Sequence, residues 1–248
     1  MVITFGLRNE YIDGFYMKID FAKCKYYFLT CENEQRRQHF LTEFGDLDIT
    51  EVNPIVGIEK HKSGVSGFSR ILDLAVRNQK VGEPFQPFGI FEDDVKKYRQ
   101  FPLEGIEIPD DADILYLGLS SYGMSDFSHC YEVFYKNVSP DIVRVYNMLS
   151  LHGFMICSIR GLLAIQKCMM ESFFTGFIWD IYVAQIQPYY NCYALRVPLV
   201  YQWGELGGQE APTKIELGQG DRANIPEHWI NKTNASIMVC HPHCNASL

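Results

Sequence analysis

Apolar and polar positions along this chain form blocks that predict strands followed by helices. Residues 25–30 form a short apolar run, and the apolar positions between Glu34 and Phe44 then recur at helical spacing. Asn33 stands where its side chain can cap the first turn of that helix. The pattern therefore predicts that the chain opens with a strand and then a helix.

The same alternation continues through the middle of the chain. We predict an α/β fold with a mostly parallel central sheet flanked by helices, in which ligands bind beyond the carboxyl ends of the strands. From Trp203 onward the chain is rich in Gly, Pro and polar residues, which predicts a loop-rich tail. The predicted elements are a helix over about 67–78, strands over 88–91, 113–118 and 154–157, a helix over about 159–172 capped by Ser158, and antiparallel additions at 131–135 and 144–149.

Composition narrows the class of protein. The 248 residues are 47% hydrophobic, so the chain can bury a large core, and we expect a single domain over 1–248. A net charge of -8 argues against a nucleic-acid partner. Neither a secretory signal nor an apolar stretch long enough to span a bilayer is evident, which predicts a soluble, cytoplasmic protein with buried free thiols.

Three consecutive acids follow the predicted strand over 88–91. Glu92, Asp93 and Asp94 repel one another at neutral pH unless a cation or a basic group lies nearby. Mg²⁺ and Mn²⁺ prefer carboxylate oxygens and leave coordination positions for a diphosphate. A solvated acidic turn, balanced by Lys96 and Lys97, is the alternative reading of the same residues.

Several short stretches, in order, give the chain a likeness to a known family. These stretches are 28–37, the apolar-Glu-Asp-Asp-Val segment at 90–95, 113–118, Gly153 to Ser158 with 161–163, Asp180, and the Pro-x-x-x-Gln segment from Pro198 to Gln202. Through them the sequence over about 25–202 resembles the family 25 glycosyltransferases, which include lipopolysaccharide and collagen galactosyltransferases, and more loosely other small GT-A-fold enzymes.

The resemblance implies a GT-A-type fold and transfer of a sugar from a nucleotide diphosphate, commonly UDP, to a hydroxyl of a glycan or protein acceptor, with inversion. It also implies a bound Mn²⁺ or Mg²⁺ that bridges protein carboxylates and the diphosphate. We take Asp94 as the first metal ligand. Glu92 then reaches the metal, through water, or binds the ribose, and Asp93 faces the sugar.

Asp180 is the candidate base, because an inverting transfer needs a group that accepts the proton of the acceptor hydroxyl. A simple helix N-cap is the alternative role for Asp180. The tail segment Cys240 to Cys244 is too compact for a zinc site, but His241 or His243 could complete the catalytic metal site, with an ordinary surface tail as the alternative.

Residues near the ends of the first strands are candidates for binding the nucleotide. Arg36 or Arg37 could pair with phosphate or stack on the base, although helix-surface arginines are usually solvated. Thr30 could contact the uracil or the ribose, and Arg70 is a weaker phosphate candidate.

Two other functions stay open at this stage. A metal-dependent nucleotidyltransferase or phosphoesterase also gathers acids at strand tips, but the sequence has no glycine-rich phosphate loop with its lysine. A non-catalytic sugar-binding domain on a transferase fold is the other alternative, since fold alone does not determine function.

Overall fold

The computed structural model describes residues 15–30, 33–124, 130–206 and 213–215. Fourteen strands and four α-helices are assigned within these ranges. The helices are α1 (Glu34–Phe44), α2 (Lys60–Asn78), α3 (Ile159–Thr175) and α4 (Trp179–Ile186). The strands are β1 (Tyr16–Ile19), β2 (Lys25–Leu29), β3 (Asp48–Val52), β4 (Phe88–Glu92), β5 (Val95–Lys97), β6 (Ile106–Pro109), β7 (Ile114–Tyr116), β8 (Tyr122–Met124), β9 (Cys130–Glu132), β10 (Tyr135–Asn137), β11 (Ile142–Val145), β12 (Gly153–Ile156), β13 (Cys192–Leu195) and β14 (Val200–Gln202).

A mixed eight-stranded sheet, in the order β10-β11-β13-β7-β12-β4-β2-β3, forms the centre of the described structure. β2 is parallel to β3 and β4, and β7 is parallel to β13. β12 runs antiparallel to both of its neighbours, β4 and β7, and β11 runs antiparallel to β13 and β10. The predicted α/β class is confirmed as a mixed sheet with flanking helices, although antiparallel pairings outnumber parallel ones.

Both faces of the sheet are covered by apolar side chains. Tyr27 of β2 packs into a core with α2, α3 and α4, while its neighbour Phe28 packs into a second core with α1. Successive side chains of a strand point to opposite faces, so the two cores lie on opposite sides of the sheet. Phe28 stacks on Phe40 of α1 at 4.2 Å between ring centroids.

The predicted helix caps are confirmed. The side chain of Asn33 accepts a hydrogen bond from the amide of Arg36, and α1 spans the predicted residues. Ser158 accepts from the amide of Gly161 at the start of α3. That helix runs to Thr175, three residues beyond the predicted end, and closes on Gly176 in the left-handed conformation (φ 76°) that favours glycine.

The predicted start of α2 is wrong, because the helix begins at Lys60 instead of near Gly67. Its first turns are mostly polar, so no apolar periodicity marks them. Gly64 also interrupts the pattern, but it permits close packing: a Cβ there would lie 2.8 Å from the Trp179 ring. A Cβ at Gly67 would likewise collide with the Leu29 side chain, so both glycines mark packing contacts within the helix and not its boundary.

The predicted antiparallel additions are only partly confirmed. β10 and β11 pair antiparallel at one edge of the sheet, but β11 ends at Val145, before the predicted 149. Residues 130–132 instead pair with β8 in a separate two-stranded ribbon. In the tail, Gly204–Leu206 forms a 3-10 turn, and most of the remaining tail lies outside the described residues.

Two further expectations concern the membrane and the thiols. None of the described helices is both long and apolar enough to cross a membrane. The four cysteines whose side chains the structure describes are free and buried, which confirms the prediction for these positions: Cys24, Cys157, Cys168 and Cys192.

Candidate functional site

The three acids lie at the carboxyl end of β4, as the sequence predicts. Glu92 is the last residue of the strand, and Asp93 and Asp94 form the turn that leads into β5. Glu92 pairs with Leu29, the last residue of the parallel strand β2. The acids therefore lie at the carboxyl ends of the parallel strands, which is where open α/β sheets bind ligands.

Asp94 connects the other two acids through shared partners. Nη1 of Arg36 lies 3.3 Å from Oδ1 of Asp93 and 3.6 Å from Oδ2 of Asp94. Nε2 of Gln202 lies 3.2 Å from Oε2 of Glu92 and 3.5 Å from Oδ2 of Asp94. Asp93 and Asp94 thus share a guanidinium, whereas Glu92 and Asp94 share an amide.

Asp180 joins this cluster from α4. It lies in the first turn of the helix, whose N-cap is Ile178, so the alternative that Asp180 is the N-cap is wrong. The charge of Asp180 contributes to raising the pKa of Glu92, and the charge of Asp94 contributes to raising that of Asp180. Asp180 therefore interacts electrostatically with two of the predicted metal ligands, although 86 residues separate it from Asp94 in the chain.

Contacts among three helices fix the position of Asp180. Nε2 of His61, in the first turn of α2, lies 3.0 Å from the carbonyl oxygen of Ser172 in α3. The His61 ring also stacks against Trp179, with ring centroids 5.5 Å apart. Trp179 precedes Asp180 in α4 and packs over Gly64. The start of α4 is therefore held by α2 on one side and by the end of α3 on the other.

Burial and repulsion from neighbouring carboxylates together raise the pKa values of Glu92, Asp94 and Asp180. The pKa of Glu92 is raised well above its ordinary range, first by burial and then by the charges of Asp180, Asp94 and Asp93, with Arg36 opposing. Burial also raises the pKa of Asp94, against the effect of Arg36, and raises that of Asp180 to about 6. Among the described residues, Arg36 is the cation that opposes the shifts at Glu92 and Asp94, and these pKa values are raised despite it, so a bound cation would stabilise the ionised cluster.

Asp94 and Glu92 are the described carboxylates that could take part in binding a divalent cation. Oδ1 of Asp94 is buried and has no hydrogen-bond partner among the described residues, although a buried carboxylate oxygen normally has one. No group of three or more His, Cys, Asp or Glu within the described ranges could hold a metal ion by itself. Mg²⁺-type ions are commonly bound by one or two carboxylates together with substrate phosphates and water, and Asp94 with Glu92 meets that requirement.

The two arginines at the start of α1 have different partners. Arg36 contacts the acids, whereas Nε of Arg37 donates to both carboxylate oxygens of Glu51 at 2.8 and 2.9 Å. The charge and hydrogen bonds of Glu51 raise the pKa of Arg37. Of these two arginines, Arg36 contacts the acidic cluster, whereas Arg37 forms an ion pair with Glu51 of β3.

Thr30 and Arg70 are connected through Asn53. The Thr30 hydroxyl donates to Oδ1 of Asn53 at 2.8 Å, and the Thr30 amide donates to the carbonyl of Val52 at 3.2 Å. Nη1 of Arg70 donates to the Asn53 carbonyl at 2.6 Å. Both donors of Thr30 are therefore used within the chain. Arg70 is exposed beside them, and its predicted role toward phosphate stays a prediction.

A buried histidine lies beside the cluster and was not singled out from the sequence. His152 directly precedes the neighbouring strand β12, and its carbonyl accepts from the Glu92 amide at 3.1 Å. Its ring packs over Gly118, which has no side chain to exclude it. Burial lowers the pKa of His152 to about 4, so the imidazole is neutral at physiological pH. No periodicity or motif in the sequence marks this position.

Gln202 is the other site residue whose role the sequence did not predict. It belongs to the Pro-x-x-x-Gln segment, but nothing in that pattern shows that its amide reaches Glu92 and Asp94. Glu92 and Gln202 are far apart in the chain, so no local sequence pattern can predict their contact. His241 and His243, the predicted tail ligands, lie outside the described residues.

No protein-family model matches the chain, and no curated protein matches it. Among solved structures, the chain is similar to the crystal structure of A197 from STIV, with a TM-score of 0.39 and 11% sequence identity. That match covers 73% of this chain and 85% of the A197 chain. The function proposed below therefore rests on the geometry of the site itself.

Proposed function

We propose that this chain is a metal-dependent glycosyltransferase of the GT-A type that uses a nucleotide-diphosphate sugar, in the first place a UDP-sugar. The acceptor is a hydroxyl of a glycan or protein, and the transfer inverts the anomeric carbon. One observation carries the proposal: Glu92 and Asp94 share the amide of Gln202 where the parallel strands end, and an oxygen of Asp94 is buried there without a hydrogen-bond partner among the described residues. The charges of Asp180 and of these two acids act on one another.

Asp94 and Glu92 would hold Mn²⁺ or Mg²⁺, and the bound ion would stabilise the charge that develops on the departing nucleoside diphosphate. Oδ1 of Asp94 would be the first ligand atom, because the other oxygen of Asp94 already faces Arg36 and Gln202. Asp93 is paired with Arg36 and would orient its guanidinium. Asp93 could also contact the sugar of the donor.

Arg36 is the residue on α1 best placed to contact the diphosphate of the donor. Its guanidinium already lies against the acids, and its position in the first turn puts it beside backbone amides that favour anions. Asn33 caps the same turn and fixes its geometry. The donor would therefore lie between the start of α1 and the turn that carries Asp93 and Asp94.

Asp180 is the base in this proposal. The acceptor oxygen bonds to the anomeric carbon as the bond from that carbon to the diphosphate oxygen breaks, and the hydroxyl proton passes to the Asp180 carboxylate. A pKa of about 6 suits this step, because the group is mostly ionised at neutral pH yet more basic than an ordinary aspartate. Its position on a helix held by α2 and α3 keeps it fixed relative to the acids.

Calorimetric titration of UDP, with and without Mn²⁺, tests the proposal. We expect wild-type protein to bind UDP at least about tenfold more tightly with Mn²⁺, and Asp94→Ala to lose this difference, because the ion bridges protein and diphosphate. Asp73→Ala is the matched control, since Asp73 is exposed on α2 with no described contact to the cluster. Unchanged metal dependence in Asp94→Ala would retire the metal assignment.

Product analysis separates the transferase from a phosphoesterase or nucleotidyltransferase. With a UDP-sugar and no acceptor, a transferase that uses water in place of the acceptor releases UDP and free sugar. An enzyme that cleaves the diphosphate instead releases UMP and a sugar phosphate. Binding without any turnover over a panel of UDP-sugars and acceptors would favour a non-catalytic sugar-binding domain.

A further inference from the structure

β14 holds the turn that carries Asp93 and Asp94 in place through backbone hydrogen bonds, although this strand lies about a hundred residues later in the chain. β14 pairs antiparallel with β5, and this pairing places Gln202 opposite Val95, the residue that follows Asp94. The amide of Trp203 donates to the Asp94 carbonyl at 2.9 Å. These backbone contacts fix the position of Gln202 relative to the turn that carries the acids.

The Gln202 side chain then extends from this fixed backbone to two carboxylates. Its Nε2 lies 3.2 Å from Glu92 Oε2 and 3.5 Å from Asp94 Oδ2. Its hydrogen bond to Asp94 lowers the pKa of that carboxyl against the effect of burial. An amide NH₂ has two donors, so one side chain can serve both acids without adding a charge.

The contact leaves the free oxygen of Asp94 available. Gln202 and Arg36 both face Oδ2, whereas Oδ1 has no described partner. Hydrogen bonds from neighbouring groups commonly orient the carboxylates that bind a metal. An amide is suited to this task, because a second cationic side chain at the same place would repel the incoming ion.

We propose that Gln202 is a positioning residue that holds the Glu92 and Asp94 carboxylates in the arrangement that binds the divalent cation. This inference rests on the proposed function. Gln202 acts through the two acids, and its loss lets them move apart under their mutual repulsion. Substitution of Gln202 should therefore lower the affinity for the ion and have little effect on the stability of the fold.

The test is calorimetric titration of Mn²⁺ into the full chain at a fixed UDP concentration. Gln202→Met keeps the length of the side chain but removes both donors, and Gln202→Asn keeps the amide but shortens its reach. We expect each substitution to raise the Kd for Mn²⁺ by about 10- to 100-fold, the usual effect of losing such a supporting hydrogen bond. Two variants are used so that poor folding of one does not decide the outcome.

Tyr201→Leu is the matched control on the same strand. Tyr201 contacts the edge of the Tyr98 ring at 6.5 Å between centroids, and no described hydrogen bond joins it to the acids. We expect this variant to lower the midpoint of thermal unfolding while keeping the wild-type Kd for Mn²⁺. If it loses as much Mn²⁺ affinity as the Gln202 variants, the effect belongs to the integrity of β14 and the inference is overturned.

The remaining outcomes separate this inference from the function on which it rests. Wild-type affinity for Mn²⁺ in both Gln202 variants would overturn the positioning role and leave the proposed function intact. Failure of the wild-type protein to bind Mn²⁺ in the presence of UDP would contradict the proposed function itself, and the positioning role with it.

Discussion

At the scale of single residues, the acidic cluster combines groups that would each be more stable apart. Burial and neighbouring charges raise the pKa of Glu92, Asp94 and Asp180, and Arg36 is the described cation that opposes the shift at Glu92 and Asp94. Sites that bind metals and substrates often carry such destabilised arrangements, because the ligand supplies the missing charge. The cluster is therefore expected to lower the stability of the metal-free protein.

Asp180→Asn should make the metal-free protein more stable and inactive. The folded chain raises the Asp180 pKa from 3.8 to about 6, so ionised Asp180 destabilises the fold at all pH values above about 6. At pH 7.5 with chelator, we expect the variant to be more stable by roughly 1–3 kcal/mol in urea unfolding. Donor turnover should fall about 10²- to 10⁴-fold, while metal-dependent UDP binding is retained.

The pH dependence of this stability difference has a definite sign. As the pH falls from about 6 toward 3.8, folded Asp180 takes up a proton before the unfolded chain does, so wild-type stability recovers and the difference closes. His152, whose pKa is lowered to about 4, destabilises the fold at low pH in both proteins and cancels in the comparison. Normal turnover would exclude Asp180 as the base, and a less stable variant at pH 7.5 would contradict the electrostatic explanation.

The sequence predicted the residues that are adjacent in the chain better than those that meet only in space. The acids at 92–94 were predicted from an apolar strand that ends abruptly, and Asp180 from a family resemblance. The contacts of Gln202 and His152 depend on which strands are neighbours, and periodicity does not encode strand order. The ion pair of Arg37 with Glu51 likewise depends on how α1 lies against β3.

At the scale of elements, β12 shows why a mostly parallel sheet was expected and a mixed one is found. Its four residues are fully buried, and a buried strand reads as a continuous apolar run in either direction. The apolar pattern therefore does not reveal that β12 runs antiparallel to both of its neighbours, β4 and β7. The antiparallel placement has a consequence for the site, because it brings the start of β12, and His152, beside Glu92.

Gly64→Ala tests whether helix packing positions the base. A Cβ at Gly64 would lie 2.8 Å from the Trp179 ring, so this contact cannot stay as it is, and we expect the ring to shift and to displace the start of α4. Displacements of about 1 Å near a reacting group can reduce rates about 100-fold. We expect donor turnover to fall by about 10- to 100-fold with little change in metal-dependent UDP binding, measured by product formation and calorimetry.

Asp73→Ala again serves as the control, since it also places alanine on α2 but at an exposed position. Alanine is the better helix former at both positions, so a change in α2 stability alone should affect both variants in the same direction. Equal turnover in the two variants would show that contact between α2 and Trp179 does not position Asp180.

At the scale of the whole molecule, residues from distant parts of the chain lie together at the carboxyl end of β4. α1 provides Arg36, β4 and its turn provide the three acids, α4 provides Asp180 and β14 provides Gln202. The two cores on opposite faces of the sheet fix these elements relative to one another. The expectations that the chain is a single domain and that it is cytoplasmic stay predictions.

The most direct test of the central claim is a crystal structure of the full chain with Mn²⁺ and UDP, recorded at a wavelength that locates manganese by anomalous scattering. We expect an anomalous peak about 2 Å from Oδ1 of Asp94, with the UDP diphosphate on the far side of the ion and Arg36 turned toward it. A map with UDP bound elsewhere and no manganese at Asp94 would contradict the proposed metal site.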